Sequence, residues 1–525
     1  MSTRLDHVEE LVLMISRFSD SRTRVALLLT CKRFFDWVVP VVWKKVKGAE
    51  ILLSLIEGAE VEKSEEHTSL ELPIIFSAPS LTRLKIYAPC VKQLEIFKYF
   101  KYRRRDYNLS NWKALLEYSE STPLLPNLTQ LTLTNCWWFN NTENPQLPWL
   151  LLFISPSLLK YRMVRDPLQK APIITNPRAG ALLAVLQRRC PELNALEIFS
   201  GPGAYHDDEN ALITLQWDKA ANIKAMPLQK LSTTLEMLRE IGDMQTISQL
   251  QRLDIHYKYS CNSFVPLSTS EIEWPNLQHL SIYSVHRIES LNYLWKARGL
   301  VGNLTSVSLC IRDKCFKNNS ALKAQLENLA IMLAQGSPNL NHLYLGCRGT
   351  YGNLENPGVL VTMLSHLTLK ELQVYSGECT KAVDLQQNLK GMTFRCIHRL
   401  DIRDHQIDLS GLLYYAQSMP NLHYLRVQIR VPKCDRLDLS TTTPTKLSRF
   451  ELCVASTDFE GEELGPAWEY ASRLLLALWS NINLTLESRI ASEHGGWVKI
   501  LRAMQLKDNA SNAKEEPVQL TGCDI

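Results

Sequence analysis

Cysteine and histidine are the residues of this chain that could carry chemistry, and their spacing decides which chemistry is open to them. Four residues separate Cys310 from Cys315, Cys396 stands two positions before His398, and His494 stands alone. A structural zinc site needs a second close pair of ligands, which none of these positions has nearby. A glycine-rich phosphate loop and a His-Glu-x-x-His motif are also missing from the sequence. We therefore predict a non-catalytic protein without a metal or other cofactor.

One basic run could recognise an anion. In Lys-Tyr-Phe-Lys-Tyr-Arg-Arg-Arg-Asp-Tyr (98–107), five cations alternate with aromatic residues. Guanidinium groups match the geometry of phosphate oxygens, so this run could dock an acidic or phosphorylated segment. A lone cluster of like charges in an insertion is more often a solvated loop. Both interpretations stay open at this point.

Composition and charge exclude several classes of partner. The 525 residues contain 58 Lys and Arg against 54 Asp and Glu, a formal charge of +4, which is too small a bias to favour nucleic acid or an anionic membrane. The thirteen cysteines are irregularly spaced and odd in number, which is typical of reduced thiols in the cytoplasm or nucleus. The amino terminus lacks the pattern of a signal peptide, and the longest apolar stretches fall far short of the ~20 residues that span a bilayer.

The elements that would position any functional residue come from a repeat. The pattern Leu-x-x-Leu-x-Leu, with occasional Ile, Val or Phe, recurs along the chain, and from residue 250 its steps are 27, 27, 36, 29, 28, 25 and 25 residues. Earlier steps of 47, 65 and 57 residues indicate insertions or missed units. A further match at Val91 lies too close to its neighbour to fit the period. The matches begin at Leu81, Leu128, Leu193, Leu250, Leu277, Leu304, Leu340, Leu369, Ile397, Leu422 and Leu447.

Each repeat reads as one helix followed by one short strand. Upstream of the strand at Leu343 and Leu345, apolar residues stand at helical spacing, and within the strand they alternate with polar ones. Between the two lies Pro-Asn-Leu, where proline ends the helix and favours extended geometry. A unit of this size cannot bury its own apolar face, but a stack of units can. An ordinary α/β sheet with unrelated leucine-rich strands is the alternative, and it does not account for the constant period.

This pattern resembles the leucine-rich-repeat family, specifically over 250–455 and more loosely over 81–249. The family often has Asn or Cys three positions after the last strand leucine, which Cys136 matches and Gly201, Lys258, Val285 and Arg348 do not. The resemblance implies an α/β solenoid, a horseshoe with a parallel concave sheet and outer helices. We predict a repeat domain over 81–490, with a carboxy-terminal cap at 456–490 and a helix and disordered tail over 491–525.

The first 47 residues form a separate pattern of three short helices. Val8, Leu11, Val12, Ile15 and Phe18 make one apolar stripe, Ser19 to Ser21 provides a break and an N-cap, and Pro40 marks a stop. A second helix is predicted through Val25, Leu28, Leu29, Lys32 and Phe35. Three short helices in fewer than 50 residues bury little surface by themselves. Several of their large apolar side chains must therefore contact another part of the chain or another protein. An acidic stretch, 57–66, lies in a predicted linker over 48–80.

These helices resemble an F-box. Glu9 to Phe18 match the first part of the family pattern, Leu29 to Phe34 match the second, and Val42 to Val46 match the third, whereas the usual Leu-Pro before the first helix is replaced by Leu5-Asp6-His7. The resemblance implies binding to a SKP-type adaptor, and through it to a cullin–RING ubiquitin ligase, with the repeats capturing a protein substrate. The alternative is a helical cap on the repeats of an interaction scaffold or sensor, with no ligase role. The adaptor-binding residues would be Leu11, Ile15, Phe18, Val25, Leu28, Leu29, Phe34, Trp37 and Trp43.

Substrate would bind where the strands present their non-leucine side chains. Alternation along a strand points these residues to the face opposite the leucines, and Tyr, Arg and His recur there, residue types that anchor protein interfaces. A solvated sheet face would also be polar, so any single position is a modest candidate. The predicted contacts are Arg252, His256, His279, Tyr283, His342, Tyr344, Tyr375, Arg399, Arg403, Tyr424 and Arg426.

Overall fold

The chain divides into two compact units in a computed structural model. The first comprises Met1–Lys258 with Leu267–Leu277, and the second comprises Tyr259–Pro266 with Gln278–Ile525. The structure describes residues 3–64, 67–76, 79–98, 106–134, 146–164, 174–201, 226–234, 247–256, 274–285, 291–312, 319–348, 357–375, 391–408, 411–431, 450–459, 465–479 and 482–486.

The first unit opens with three helices, α1 (Thr3–Phe18), α2 (Ser21–Thr30) and α3 (Lys32–Val42). Asp20 caps α2 by accepting a hydrogen bond from the backbone nitrogen of Thr23 at 2.8 Å, which confirms the predicted break. The single helix predicted through Val25 and Phe35 is divided in two, because Cys31 between α2 and α3 has an extended backbone. Helix α3 does not stop at Pro40 as predicted, but it continues for only two residues beyond it.

Parallel strands follow in chain order, with helices between them. Strands β1, β4, β6, β7, β9, β11 and β12 pair in that order, each parallel to the next. The strands of the unit are β1 (Lys45–Lys47), β2 (Glu60–Lys63), β3 (His67–Glu71), β4 (Gln93–Glu95), β5 (Asp106–Ser110), β6 (Gln130–Leu133), β7 (Lys160–Met163), β8 (Ile174–Thr175), β9 (Ala195–Glu197), β10 (Ser200–Gly201), β11 (Lys230–Thr234) and β12 (Arg252–His256). The helices are α4 (Ala49–Leu53), α5 (Thr82–Tyr87), α6 (Trp112–Ser121), α7 (Gln146–Phe153) and α8 (Asn176–Arg189).

The second unit repeats this arrangement more regularly. Its strands also pair in chain order, each parallel to its neighbours. They are β13 (His279–Val285), β14 (Ser306–Arg312), β15 (His342–Arg348), β16 (Glu371–Tyr375), β17 (Arg399–Asp408), β18 (Tyr424–Val431), β19 (Phe450–Phe459) and β20 (Ile482–Leu486). The helices are α9 (Leu291–Lys296), α10 (Arg298–Val301), α11 (Asn319–Gly336), α12 (Pro357–His366), α13 (Gly411–Ser418) and α14 (Gly465–Leu478).

A tight turn at Pro-Asn-Leu joins helix to strand, as predicted. The backbone nitrogen of Leu422 donates to the carbonyl oxygen of Met419 at 3.1 Å, which places Pro420 at the turn position that suits its fixed φ. The turn asparagine also contacts the preceding repeat, because Asn421 Nδ2 donates to the carbonyl of Arg395 at 2.8 Å. This side chain therefore links two successive helix–strand repeats as well as forming the turn.

The core is built from rows of aliphatic residues that the strand register aligns. Within the second unit, Leu343 pairs with Val307 on one side and with Leu372 on the other, and all three are buried. Equivalent positions stack because parallel strands in the same register bring like residues together about 4.8 Å apart. Each helix–strand repeat thus completes the core of its neighbouring repeats, as expected for a stacked array.

The structure differs from the predicted repeat boundaries in the first unit. The match at Leu81 opens helix α5, while the neighbouring match at Val91, judged irregular, leads into strand β4. The long steps of 65 and 57 residues between predicted strands each contain a repeat that the pattern missed. The strands of these repeats are β7 and β11. Their patterns were obscured because Tyr161 and Thr233 occupy buried positions where an aliphatic residue was expected.

Regular structure also occupies the segment predicted to be a linker, 48–80. It contains α4, β2 and β3, and β2 pairs antiparallel with β3. The reason is burial, because Leu52, Leu53 and Leu70 are almost fully enclosed. At the other end, the predicted closing helix and strand correspond to α14 and β20. Residues 491–525 and Cys136 lie outside the described part of the chain.

Candidate protein-interaction surfaces

The amino-terminal helices expose large apolar side chains. Leu11, Ile15 and Phe18 on α1 and Val25 and Leu29 on α2 are between 44% and 87% exposed, and we call these five residues the helical apolar surface. Single exposed apolar residues are ordinary, but a group of them on two consecutive helices indicates a docking surface.

The same helices are held together from their other side. Val12 and Ser16 of α1 are buried, and so are Val38 and Val39 of α3. The guanidinium of Arg24 donates from Nε to the carbonyl of Ser16 at 2.8 Å, which ties α2 to the end of α1. The predicted apolar stripe therefore divides, with Val12 turned inward and its neighbours left exposed.

The other predicted adaptor contacts are half-buried. Leu28 lies on α2, and the rings of Phe34 and Trp37 on α3 lie 5.8 Å apart. Trp43 stacks on Tyr87 of α5 at a centroid distance of 4.4 Å. Trp43 thus packs against the first repeats, which supplies a structural role for a residue predicted to bind the adaptor.

The register of the second unit arranges the predicted substrate contacts in rows. His279, His342, Arg399 and Tyr424 belong to one row, separated in places by Ser306 and Glu371. Tyr344, Asp401 and Arg426 belong to the next row. Tyr283 and Tyr375 share a third row, with Cys310 and Gly346 between them. Arg252 and His256 belong to the first unit.

A hydrogen bond and an ion pair to Glu371 link neighbouring strands in the first row. Glu371 accepts from His342 Nδ1 and from Arg399 Nε, both at 2.9 Å. The guanidinium of Arg399 lies 3.9 Å from the ring centroid of Tyr424, a cation–π contact. Burial is the main cause that raises the pKa of the Tyr424 phenol, so Tyr424 is a neutral hydrogen-bonding group at neutral pH.

A buried carboxylate organises the second row. The Asp401 side chain is only 3% exposed and accepts from Arg403 Nη2 at 2.6 Å, with Arg426 Nη1 at 3.7 Å. Two arginines therefore surround one carboxylate on adjacent strands, which leaves a local excess of one positive charge. Together the two rows form a mixed aromatic and cationic face, the composition that anchors protein interfaces.

The first unit has an analogous face that the sequence prediction largely missed. Glu197 lies between Arg162 at 3.2 Å and Lys230 at 2.8 Å, and Lys230 also approaches Asp254 at 3.6 Å. Arg252 pairs with Asp254 at 3.2 Å, and His256 packs edge-on against Phe199. The spacings Leu158-x-x-Tyr161-x-Met163 and Leu228-x-x-Leu231-x-Thr233 were the available signal for β7 and β11.

The residues considered first for chemistry do not form a site within the described ranges. Cys310 is buried, Cys396 is exposed, and His398 Nδ1 donates to the carbonyl of Cys396 at 2.7 Å. No group of three or more metal-ligating side chains occurs among the described residues. Cys315, His494 and residues 99–105 of the basic run lie outside the described part.

No helix in the part of the chain that the structure describes has the length and apolar character needed to cross a membrane. Comparison of the sequence with protein-family models and with curated proteins finds no match to either.

Proposed function

We propose that this protein is a substrate receptor of an SCF-type ubiquitin ligase, with an F-box at its amino terminus and leucine-rich repeats after it. The helical apolar surface binds a SKP-type adaptor, and the strand faces bind a protein substrate. The chain itself performs no covalent step, because the ligase's other subunits carry the chemistry.

The observation that carries the proposal is the exposure of Leu11, Ile15 and Phe18 on a helix whose other side is already packed. Exposing these side chains to water is unfavourable by roughly 25 cal/mol for each Å² of apolar surface, so burial against a partner is a strong driving force. The same residues fall within the segment that resembles an F-box. The stacked parallel strands supply a second, polar surface on the same chain.

The mechanism is bridging. One surface holds the adaptor, the other holds the substrate, and the complex raises the effective concentration of substrate near the ubiquitin carrier. Such a receptor needs two different surfaces, and here one is apolar and helical while the other is charged and aromatic.

Co-purification with a SKP-type adaptor tests the proposal. We expect the wild-type chain to capture the adaptor and Leu11→Asp to reduce the captured amount at least about tenfold, because a charge would enter the centre of an apolar contact. Ile75→Asp is the matched control, since Ile75 is 83% exposed but lies outside the helical surface. The control should capture adaptor within about twofold of wild type.

Absence of capture by the wild-type chain, or full capture by Leu11→Asp, would disprove the ligase proposal. The second candidate function is then an interaction scaffold whose amino-terminal helices only cap the repeats. The stacking of Trp43 on Tyr87 favours that role, because it packs α3 against the first repeats. Trp43→Ala is for this reason a poor probe of adaptor binding, since it also removes packing.

A further inference from the structure

Four cations lie on neighbouring strands of the first unit. Lys160 and Arg162 belong to β7, Lys230 belongs to β11 and Arg252 belongs to β12, and we call these four residues the cationic strand face. The register aligns Lys160, Ala195, Lys230 and Arg252 in one row across β7, β9, β11 and β12. Residues distant in sequence are thereby brought to one surface.

The carboxylates of this face are buried and already paired. Both oxygens of Glu197 are used, one by Arg162 and one by Lys230, and both oxygens of Asp254 are used by Arg252 and Lys230. Glu197 and Asp254 are 8% and 4% exposed, so they lie beneath the cations. Four cations over two carboxylates leave a charge of +2 on the face (4 − 2).

The two arginines present their outer groups to solvent. Their side chains are 45% and 47% exposed, and each is held through Nε alone. Among the described residues, the hydrogen bonds of Arg162 and Arg252 run from Nε, and none runs from an Nη group. A guanidinium held in this way has restricted rotation and free donors that suit a carboxylate.

Lys160 adds a cation next to a small residue. It is exposed, and within the described residues no carboxylate pairs with it. The neighbouring position in its row is Ala195, whose methyl group leaves space between Lys160 and Lys230. Adjacent strands lie about 4.8 Å apart, so the backbones of Lys160 and Lys230 are about 10 Å apart across Ala195.

We propose that the cationic strand face binds an acidic polypeptide segment of the substrate in extended form. This inference rests on the proposed function, because it names the chemistry of the substrate that the receptor holds. From β7 to β12 the face spans three strand spacings, about 14 Å, and an extended peptide advances about 3.3 Å per residue. The face therefore fits about five residues, with carboxylates that meet the two arginines and Lys160.

Binding of fluorescein-labelled hexaglutamate to the full chain, followed by fluorescence anisotropy, tests the inference. We expect hexaglutamate to bind, hexaglutamine to bind at least about tenfold more weakly, and the affinity to fall as sodium chloride is raised. Lys160→Gln should weaken binding about threefold and Lys160→Glu at least about tenfold, since the second adds a like charge to the ligand's.

Lys113→Gln is the matched control, because Lys113 is an exposed lysine on helix α6, outside the face. Its affinity for hexaglutamate should equal that of wild type. Equal binding by the Lys160 and Lys113 variants would overturn the inference, and so would failure of hexaglutamate to bind at all. A single-stranded deoxythymidine oligonucleotide that bound as tightly as hexaglutamate would also overturn it, because the face would then be a general polyanion site.

The adaptor experiment is run on the same variants. Lys160→Glu should capture the SKP-type adaptor as wild type does, because it lies outside the helical apolar surface. Adaptor capture without peptide binding would refute the inference and leave the proposed function standing. Peptide binding without adaptor capture would refute the ligase role and leave an acidic-segment receptor.

Discussion

The strand faces of the two units both contain a buried carboxylate paired with two cations, and they differ in the residues around it. In the first unit, Glu197 is buried between two cations, and in the second Asp401 is buried between two arginines. The first face adds the exposed Lys160, whereas the second adds the ring of Tyr424 beneath Arg399. A buried carboxylate can thus orient cations for simple charge recognition or for contacts that also use aromatic surface.

The difference follows from what lies next to one cation of each face in register. Ala195 stands beside Lys230 on the first face, while Tyr424 stands beside Arg399 on the second. A small neighbour leaves a gap between cations, and an aromatic neighbour fills it and restrains the cation. We therefore expect the first face to discriminate by charge and the second to discriminate by shape as well.

Removing the buried carboxylates should produce the largest effects. Asp401→Ala should lower the free energy of opening by about 3 kcal/mol, because it leaves two arginines without their shared partner. Glu197→Ala should cost less, about 2 kcal/mol, because Arg162 is 45% exposed and can be rehydrated, whereas Arg426 is only 20% exposed. Hydrogen exchange of β18 and β11, respectively, measures these opening free energies.

Glu451→Gln is the control for both variants. Glu451 is half-buried, pairs in register with Tyr424 and forms no ion pair with a described residue, so its replacement should cost less than about 0.5 kcal/mol. Equal losses in all three variants would show that the buried carboxylates do not organise these faces.

Exchanging arginine for lysine should separate the two faces with a smaller effect. Arg399→Lys should cost about 1 kcal/mol, because lysine keeps the charge near Glu371 but loses the planar contact with Tyr424. Arg252→Lys, whose arginine pairs with Asp254 without a described aromatic neighbour, should cost less than about 0.5 kcal/mol. Thermal unfolding of each variant beside wild type checks the order, and a larger loss at Arg252 would contradict the comparison.

The smallest effect on stability belongs to Lys160. Because no described carboxylate pairs with it, Lys160→Gln should change the unfolding temperature no more than Lys113→Gln does. Differential scanning fluorimetry of both variants measures this. If Lys160→Gln alone clearly lowered the unfolding temperature, Lys160 would contribute to the stability of the fold and would not be available to a ligand.

Local chemistry explains how much of the fold was predictable. Pro420 and Asn421 form the turn expected of them, and Leu343 and Leu345 occupy buried strand positions. The prediction failed where a unit used unusual residues, as at Tyr161 in β7, and where Leu81 matched the pattern in a helix. A motif of three leucines fits a strand or a helix face when it is short, and only the neighbouring units decide between them.

The candidate surfaces were predictable only in part. The residue types on the strands were visible from alternation, and so were the apolar positions of α1. Which side of α1 would be packed depended on α3, since Val38 and Val39 are buried on the same helical module as Val12. The cationic strand face depended on β7 and β11, two strands that the pattern did not reveal.

The sequence by itself determined the repeated helix–turn–strand unit, because hydrophobic period and turn residues act over a few neighbouring positions. Only the tertiary structure decided which charges meet. Arg162, Glu197 and Lys230 are more than thirty residues apart from one another along the chain. They become neighbours because strands that pair in register place equivalent positions side by side. Such pairings depend on the number of residues between strands and on which units stack, neither of which a local pattern contains.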